Sequence, residues 1–370
     1  MAEGSRHWYA ERAWVQGATV GSRVVIETDG PRIAGVETGV ADPPADAVRL
    51  PGLVIPGLAN AHSHAFHRAL RGRTHAGAGD FWAWRERMYA VAARLDPDSY
   101  YALARAVYAE MALAGITTVG EFHYLHHAPG GSPYANPNAM GYAPAAAARD
   151  AGVRLTLIDA CYLHADVDGS PLRGAQVRFG DGSVGAWAAR VDDLRAPRVG
   201  AAVHSVRALQ PAEIAEIAAW AGERAAPLHL HLSERAREND ACLSVHGRTP
   251  TRLVADAGGL GPRTVAVHAT HLEEDDVALL GAHRTRVCLC PTTERDLADG
   301  VGPARRLVDA GGRLCLGSDS HAVVDLFEEA RAVELNQRLV TGERGLHAPA
   351  DLLRAATEEG ARGLGWPDGG

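Results

Sequence analysis

The sequence predicts an α/β protein whose main body is a (β/α)8 TIM-like barrel, preceded by a small β-sheet module. Two observations lead there: eight short apolar runs each end in polar residues, and from residue 53 onward helical stretches alternate with them. Continuous apolar runs are the signature of buried parallel strands, and strand–helix alternation builds a parallel sheet. Eight strands that all exit into chemistry put the functional residues at the C-terminal rim of a barrel. A chain of 370 residues has room for both parts, since such barrels commonly take about 250 residues or more as one unit.

The expected boundaries are 1–54 for the module and 55–370 for the barrel. In the module, Trp14-Val15, Ala18–Val20, Val24–Ile26 and Ile33–Val36 are strand-like pieces between Gly and Pro turns. The first barrel run, Leu53–Asn60, leads into His62-Ser63-His64. Ile116–Val119 leads to Glu121 and His123, Leu155–Ile158 to Asp159, and Val199–Val203 to His204. Leu228–Leu232 leads to Ser233-Glu234, Val265–Val267 to His268, Val287–Leu289 to Cys290, and Leu314–Leu316 to Ser318-Asp319.

Between the strands, one helix is expected over about Asp98–Ala114, with Pro97 near its start and Gly115 past its end. Another starts at Pro211 and carries Ile214, Ile217, Ala218 and Ala221 on one stripe. A last one lies around Leu352–Leu364. Gly72–Gly79, leading into Phe81–Glu86, and His123–Gly141 are too long for plain connectors. Both follow barrel strands and are expected to lie over the site.

Composition narrows the chemistry. A net charge of −8 and the lack of a basic tract argue against nucleic acid. All 37 basic residues are arginine, so Schiff-base chemistry, a Walker lysine and a carboxylated lysine bridging two metals are excluded. Cys161, Cys242, Cys288, Cys290 and Cys315 are odd in number and form no Cys-x-x-Cys pair, which argues against a disulfide scaffold or zinc ribbon. The N-terminus has no charged-then-apolar leader, and no apolar stretch reaches about 18 residues. These features predict a cytoplasmic protein with no membrane contact.

His62 and His64 stand two apart at a strand end, so both imidazoles face one side. His231 with Glu234, His268, and Asp319 reach the same rim from other strands. Three histidines and an aspartate suit one zinc, with a coordination position left for water. A metal of this kind acidifies the water it binds, and a carboxylate beside it then moves protons. Glu234, three residues beyond a ligand, has that reach, while His268 can polarise or stabilise the atom under attack.

The motifs Pro56–His64, His229–Glu234, Val267–His271 and Gly317–Ser320 resemble the amidohydrolase superfamily, in its mononuclear-zinc deaminase branch. The resemblance covers nearly the whole chain. It implies an amidohydrolase-type barrel with a small N-terminal β-sandwich module and one Zn2+ per chain, held by His62, His64, His231 and Asp319. Glu234 is then the proton shuttle, and His268 and Asp319 complete the catalytic set. The family pattern favours His231 over His229, and His268 over His271. Family members usually continue past the last helix with strands that complete the sandwich; this sequence stops at Gly370. Related enzymes are commonly homodimers, and the resemblance carries that expectation over.

Within the branch, Ala65-Phe66-x-Arg68, Phe81-Trp82-x-Trp84-Arg85-Glu86, Glu121–Tyr124 with His126-His127, and His204-Ser205-x-Arg207-Ala208 are similar to the formimidoylglutamate deiminases. That likeness implies a small dicarboxylate substrate bound by Arg85, Tyr124, His204 and Arg207. Position 67 is His where many of those enzymes have a substrate-holding Gln; His67 can donate a hydrogen bond there. Arginine is well matched to carboxylates because its planar fork donates two parallel bonds. The rival expectations are guanine, another aminated heterocycle or a chlorotriazine on the same barrel, and a non-catalytic barrel with a structural metal. A structural site is closed by four ligands with no acid–base residue beside it.

Overall fold

The computed structural model describes residues 5–15, 19–74 and 81–368. Ala18 of one expected strand and residues 75–79 of the first long connector lie outside them, as do the side chains of Phe81 and Trp82. The chain divides into two compact units, Met1–Gly57 and Leu58–Gly370.

The first unit is a four-stranded sheet of β1 (Arg6–Val15), β2 (Thr19–Asp29), β3 (Arg32–Glu37) and β4 (Val48–Val54), in the order β3-β2-β1-β4. Its antiparallel hairpins run β1-β2-β3, and β4 joins β1 in parallel. Ala10, Ala13 and Val24 form its small core, with Val15, Ile26, Leu50 and Val54 packed against them. Among the described residues this is one layer of the expected sandwich.

The second unit is the barrel: β5 (Leu58–Ser63), β6 (Ile116–His123), β7 (Arg154–Cys161), β8 (Val199–Val203), β9 (Leu228–Leu232), β10 (Thr264–His268), β11 (Arg286–Leu289) and β12 (Arg313–Leu316). All eight are parallel, each beside its neighbour in sequence. The ring closes at one point between its ends. Asp319 N–H donates to the His62 carbonyl at 3.0 Å, and His64 N–H donates to the Asp319 carbonyl at 3.2 Å. Side-chain bonds strengthen the seam: Asn60 Nδ2 donates to Ser318 Oγ at 2.7 Å, and Ser318 N–H to Asn60 Oδ1 at 2.9 Å. Ala61, Val265, Val267, Cys288, Cys290 and Cys315 fill the interior. The five cysteines are free and buried, packing as small apolar groups.

Four elements differ from expectation. The first apolar run splits, with Val48–Val54 in the small sheet and Leu58–Ser63 in the barrel; Pro56, which lacks an N–H, stands between them. The segment after the first connector is a helix, Phe81–Ala92, since it carries no Gly or Pro and buries Met88 and Ala92 one turn apart. The second connector likewise ends in a helix, Ala139–Ala151, so Gly141 is helical. The helices Pro97–Leu113 and Pro211–Glu223 lie where the pattern puts them, and the terminal helix is broken into Pro349–Ala356 and Glu358–Gly363.

Gly317 marks how tightly the seam is built. A Cβ there would stand 2.8 Å from both the Cβ and the carbonyl oxygen of His62. Because that obstacle is largely backbone, Gly317→Ala is expected to cost about 1–3 kcal/mol of stability, read as a lowered unfolding midpoint in calorimetry. An unchanged midpoint would show that the seam has slack.

Candidate active site

Four buried ligand atoms converge at the barrel seam. His62 Nε2 lies 3.1 Å from His64 Nε2 and 3.2 Å from His231 Nε2, and His64 and His231 are 3.3 Å apart. Asp319 Oδ1 is 3.4 Å from both His62 Nε2 and His64 Nε2. Ligands around a tetrahedral metal with bonds of ~2.0 Å stand about 3.3 Å apart, so the spacing fits one ion.

The tautomers point the same way. His64 Nδ1 faces the Phe122 carbonyl at 2.9 Å, and His231 Nδ1 faces the His204 carbonyl at 2.9 Å. A carbonyl only accepts, so each Nδ1 carries the hydrogen and each Nε2 presents a bare lone pair. Two lone pairs 3.3 Å apart repel unless a cation lies between them. Burial holds the His62 and His231 imidazoles neutral and takes His64 down to about 3, which is the ligating form. Burial also pushes the Asp319 carboxyl up to about 7, a desolvation penalty that a bound cation offsets.

Next to this cluster stand three ionisable side chains, Glu234, His268 and Glu294. Glu234 Oε1 is 3.8 Å from His268 Nε2, and His268 Nε2 is 3.7 Å from Asp319 Oδ2. Glu294 Oε1 faces His268 Nδ1 at 3.3 Å and accepts the Cys290 N–H at 2.9 Å. Burial opposes charge on His268, but the carboxylates of Glu234, Glu294 and Asp319 outweigh it and raise its pKa to about 10. Ser233, His268 and Asp319 all adopt positive φ, at 48°, 70° and 42°. Left-handed backbone at non-glycine residues is strained and is retained where the surroundings impose it, often at functional sites.

Above the cluster opens a cavity lined by His67, Trp84, Arg85, Tyr89, Tyr124, Tyr162, Phe179, His204 and Arg207. His67 Nε2 and the Tyr124 hydroxyl are 2.7 Å apart, and Trp84 meets His67 edge-on. Arg85 lies over the Tyr89 ring, 5.5 Å from its centre, on the helix Phe81–Ala92 rather than on a loop. Arg207 Nη2 reaches Glu234 Oε2 at 3.3 Å. The residues expected to bind metal or substrate or to move protons therefore come together around one cleft, whereas Glu121, His123 and Asp159 lie outside it and His229 and His271 do not join it. His229 Nε2 bonds to the Gly363 carbonyl and His271 Nε2 to the Asp299 carbonyl.

Sequence reasoning missed Glu294, Glu238 and Tyr162. Glu294 is four residues past Cys290, on the helix Pro291–Asp296 that follows the seventh strand, so the exit of that strand alone gave no sign of it. A second buried group, His123, His126 and Asp159, also comes within ligating distance. There Arg190 already occupies both oxygens of Asp159, at 2.8 and 2.9 Å, and His126 Nε2 donates to the Ala160 carbonyl. The positive charge is supplied by the guanidinium, which makes this a structural network.

The barrel with ligands and acid–base groups at its C-terminal rim is the architecture of a metal-dependent hydrolase. The chain belongs to the amidohydrolase family, whose model matches residues 53–370. It is 38% identical to formimidoylglutamate deiminase from Pseudomonas aeruginosa, over 98% of this chain and 82% of that protein. It is 30% identical to 8-oxoguanine deaminase from the same organism, over 85% of this chain and 71% of that protein. Among solved structures it is similar to an amidohydrolase from Brucella melitensis, with a TM-score of 0.90, 32% identity, and coverage of 98% of this chain and 83% of that one. No helix among the described residues is long and apolar enough to cross a membrane.

The geometry predicts about one metal per chain in elemental analysis of the purified protein. Two tightly held ions would mean that a second group binds metal as well, either the Arg190 network or His268, Cys290 and Asp319, which also come within ligating distance.

Proposed function

We propose that this hydrolase removes ammonia from N-formimidoyl-L-glutamate, leaving N-formyl-L-glutamate, as a step of histidine degradation. The observation that carries the reading is the pair of guanidiniums, Arg85 and Arg207, lining a cleft whose floor is the His62–His64–His231–Asp319 cluster. The substrate has two carboxylates and one amidine, and the cleft offers two cations above one hydrolytic centre. The likeness to formimidoylglutamate deiminase supports the same substrate.

Zinc held by His62, His64, His231 and Asp319 would supply acidified water at neutral pH. The chain's own groups handle the rest. Arg85 and Arg207, with Tyr124, His204 and His67 between them, hold the dicarboxylate so that the formimidoyl carbon faces the cluster. Glu234 accepts a proton from the attacking water as the C–O bond forms and passes it to the imino nitrogen; it then moves the remaining hydroxyl proton of the tetrahedral adduct to the same nitrogen, so that the C–N bond breaks, the formyl C=O forms and ammonia leaves. His268, kept charged by its three carboxylate neighbours, faces the reacting centre and stabilises the negative charge that builds there. The five free, buried cysteines support a reducing, cytoplasmic setting.

The aromatic wall of Trp84, Tyr89, Tyr124, Tyr162 and Phe179 is richer than the sequence suggested and would suit a flat ring. An aminated heterocycle is therefore the second reading. Among the described residues no Asn or Gln, the usual readers of ring edges, lines the cleft.

Ammonia release from N-formimidoyl-L-glutamate should far exceed that from guanine, and the reverse preference would replace this reading with the second. Glu234→Gln should keep its metal and lose at least about a hundredfold in kcat; near-normal turnover would remove Glu234 from proton transfer.

A further inference from the structure

Glu238 is a buried carboxylate that the mechanism above does not use. It is 3% exposed and sits in the first turn of the helix Ala236–His246. Its Oε1 accepts the N–H of Ser233 at 3.2 Å, which ties it to the strained turn that presents Glu234. Its Oε2 is buried without a hydrogen bond and faces Arg207 Nε at 3.5 Å. Arg207 thus lies between two carboxylates, Glu238 at its Nε edge and Glu234 at Nη2, 3.3 Å away, and Ser205 Oγ accepts from Nε at 3.2 Å.

This arrangement poses a conflict. A guanidinium paired with Glu234 alone would clamp the group that must move protons, because a charge-assisted bond in a partly desolvated cleft is strong and directional. A second carboxylate on the opposite edge divides that attraction. We infer that Glu238 is a positioning residue: it anchors the Nε edge of Arg207, so that a substrate carboxylate arriving at the other edge can take Arg207 off Glu234 and release Glu234 for proton transfer. The inference rests on the dicarboxylate reading above. It also makes recognition and catalysis one event, since the anion that fills the fork frees the proton carrier.

A residue that acts through Arg207 has an effect that depends on Arg207. The test is a double-mutant cycle of Glu238→Gln and Arg207→Met, with kcat and KM for N-formimidoyl-L-glutamate measured in all four proteins. Glu238→Gln is expected to lower kcat by about tenfold or more while KM moves by less than about threefold, because Arg207 falls back onto Glu234 in the bound complex. In the Arg207→Met background the same substitution should cost less than about twofold.

Equal losses in both backgrounds, or no loss in the parent, would overturn the inference. No turnover by the parent would remove the substrate reading and the inference with it, whereas good turnover with additive losses would remove the inference alone. If Glu238→Gln fails to fold, as judged by its unfolding midpoint, the cycle is run with Glu238→Asp. That variant keeps the charge at a shorter reach and should show a smaller loss that again requires Arg207.

Discussion

The structure depends on one electrostatic constraint: bare imidazole lone pairs and a buried carboxylate are held face to face at the seam of the barrel. The Nε2 atoms of His64 and His231, both fixed as bare lone pairs, stand 3.3 Å apart and repel one another, and the Asp319 carboxyl is buried out of water. A single cation bound there, as proposed above, would turn these penalties into bonds. The four residues that would hold it come from β5, β9 and the exit of β12, so the same cation would link the two ends of the sheet. The backbone bonds between His62, His64 and Asp319 lie in the same few residues. Closing the barrel and assembling the candidate metal site are therefore one structural event.

Around that point the protein arranges its charges in layers. Main-chain carbonyls of Phe122 and His204 fix the tautomers of His64 and His231, so the strands themselves orient the ligands. Beyond them, Glu234, His268 and Glu294 form a short chain of ionisable groups, with His268 Nε2 3.8 Å from Glu234 and Nδ1 3.3 Å from Glu294. Arg207 joins this chain to the binding cleft by contacting Glu234 directly. On the proposed function, this one side chain would connect the substrate's charge to the proton carrier.

Most of this was legible in the sequence because buried parallel strands leave a clear pattern. Val199–Val203 and Leu228–Leu232 match the observed strands residue for residue, and His62, His64, His231, His268 and Asp319 sit directly at strand exits. What lay off the strands was not legible. Glu294 and Glu238 stand on helices just past the rim, where a glutamate looks like any solvated helix residue. Leu53–Asn60 read as one run because hydrophobicity does not distinguish two sheets separated by Pro56-Gly57. The helix Phe81–Ala92 was hidden by the glycine-rich stretch before it, and it is this helix that brings Trp84, Arg85 and Tyr89 to the cleft. Asp159, whose strand exit suggested chemistry, instead receives Arg190 and the Trp187 indole N–H, a structural use that the sequence gives no means of separating from a catalytic one.

The most direct test of this account is the unfolding midpoint of metal-stripped protein as zinc is restored in steps. If one cation relieves the repulsion at the seam, the midpoint rises with free zinc and levels off near one equivalent. The gain should follow mass action, about 2.7 kcal/mol at a free concentration a hundred times the Kd. A midpoint that does not respond to zinc would show that the four ligands are at ease without a cation, and would contradict the account at its centre.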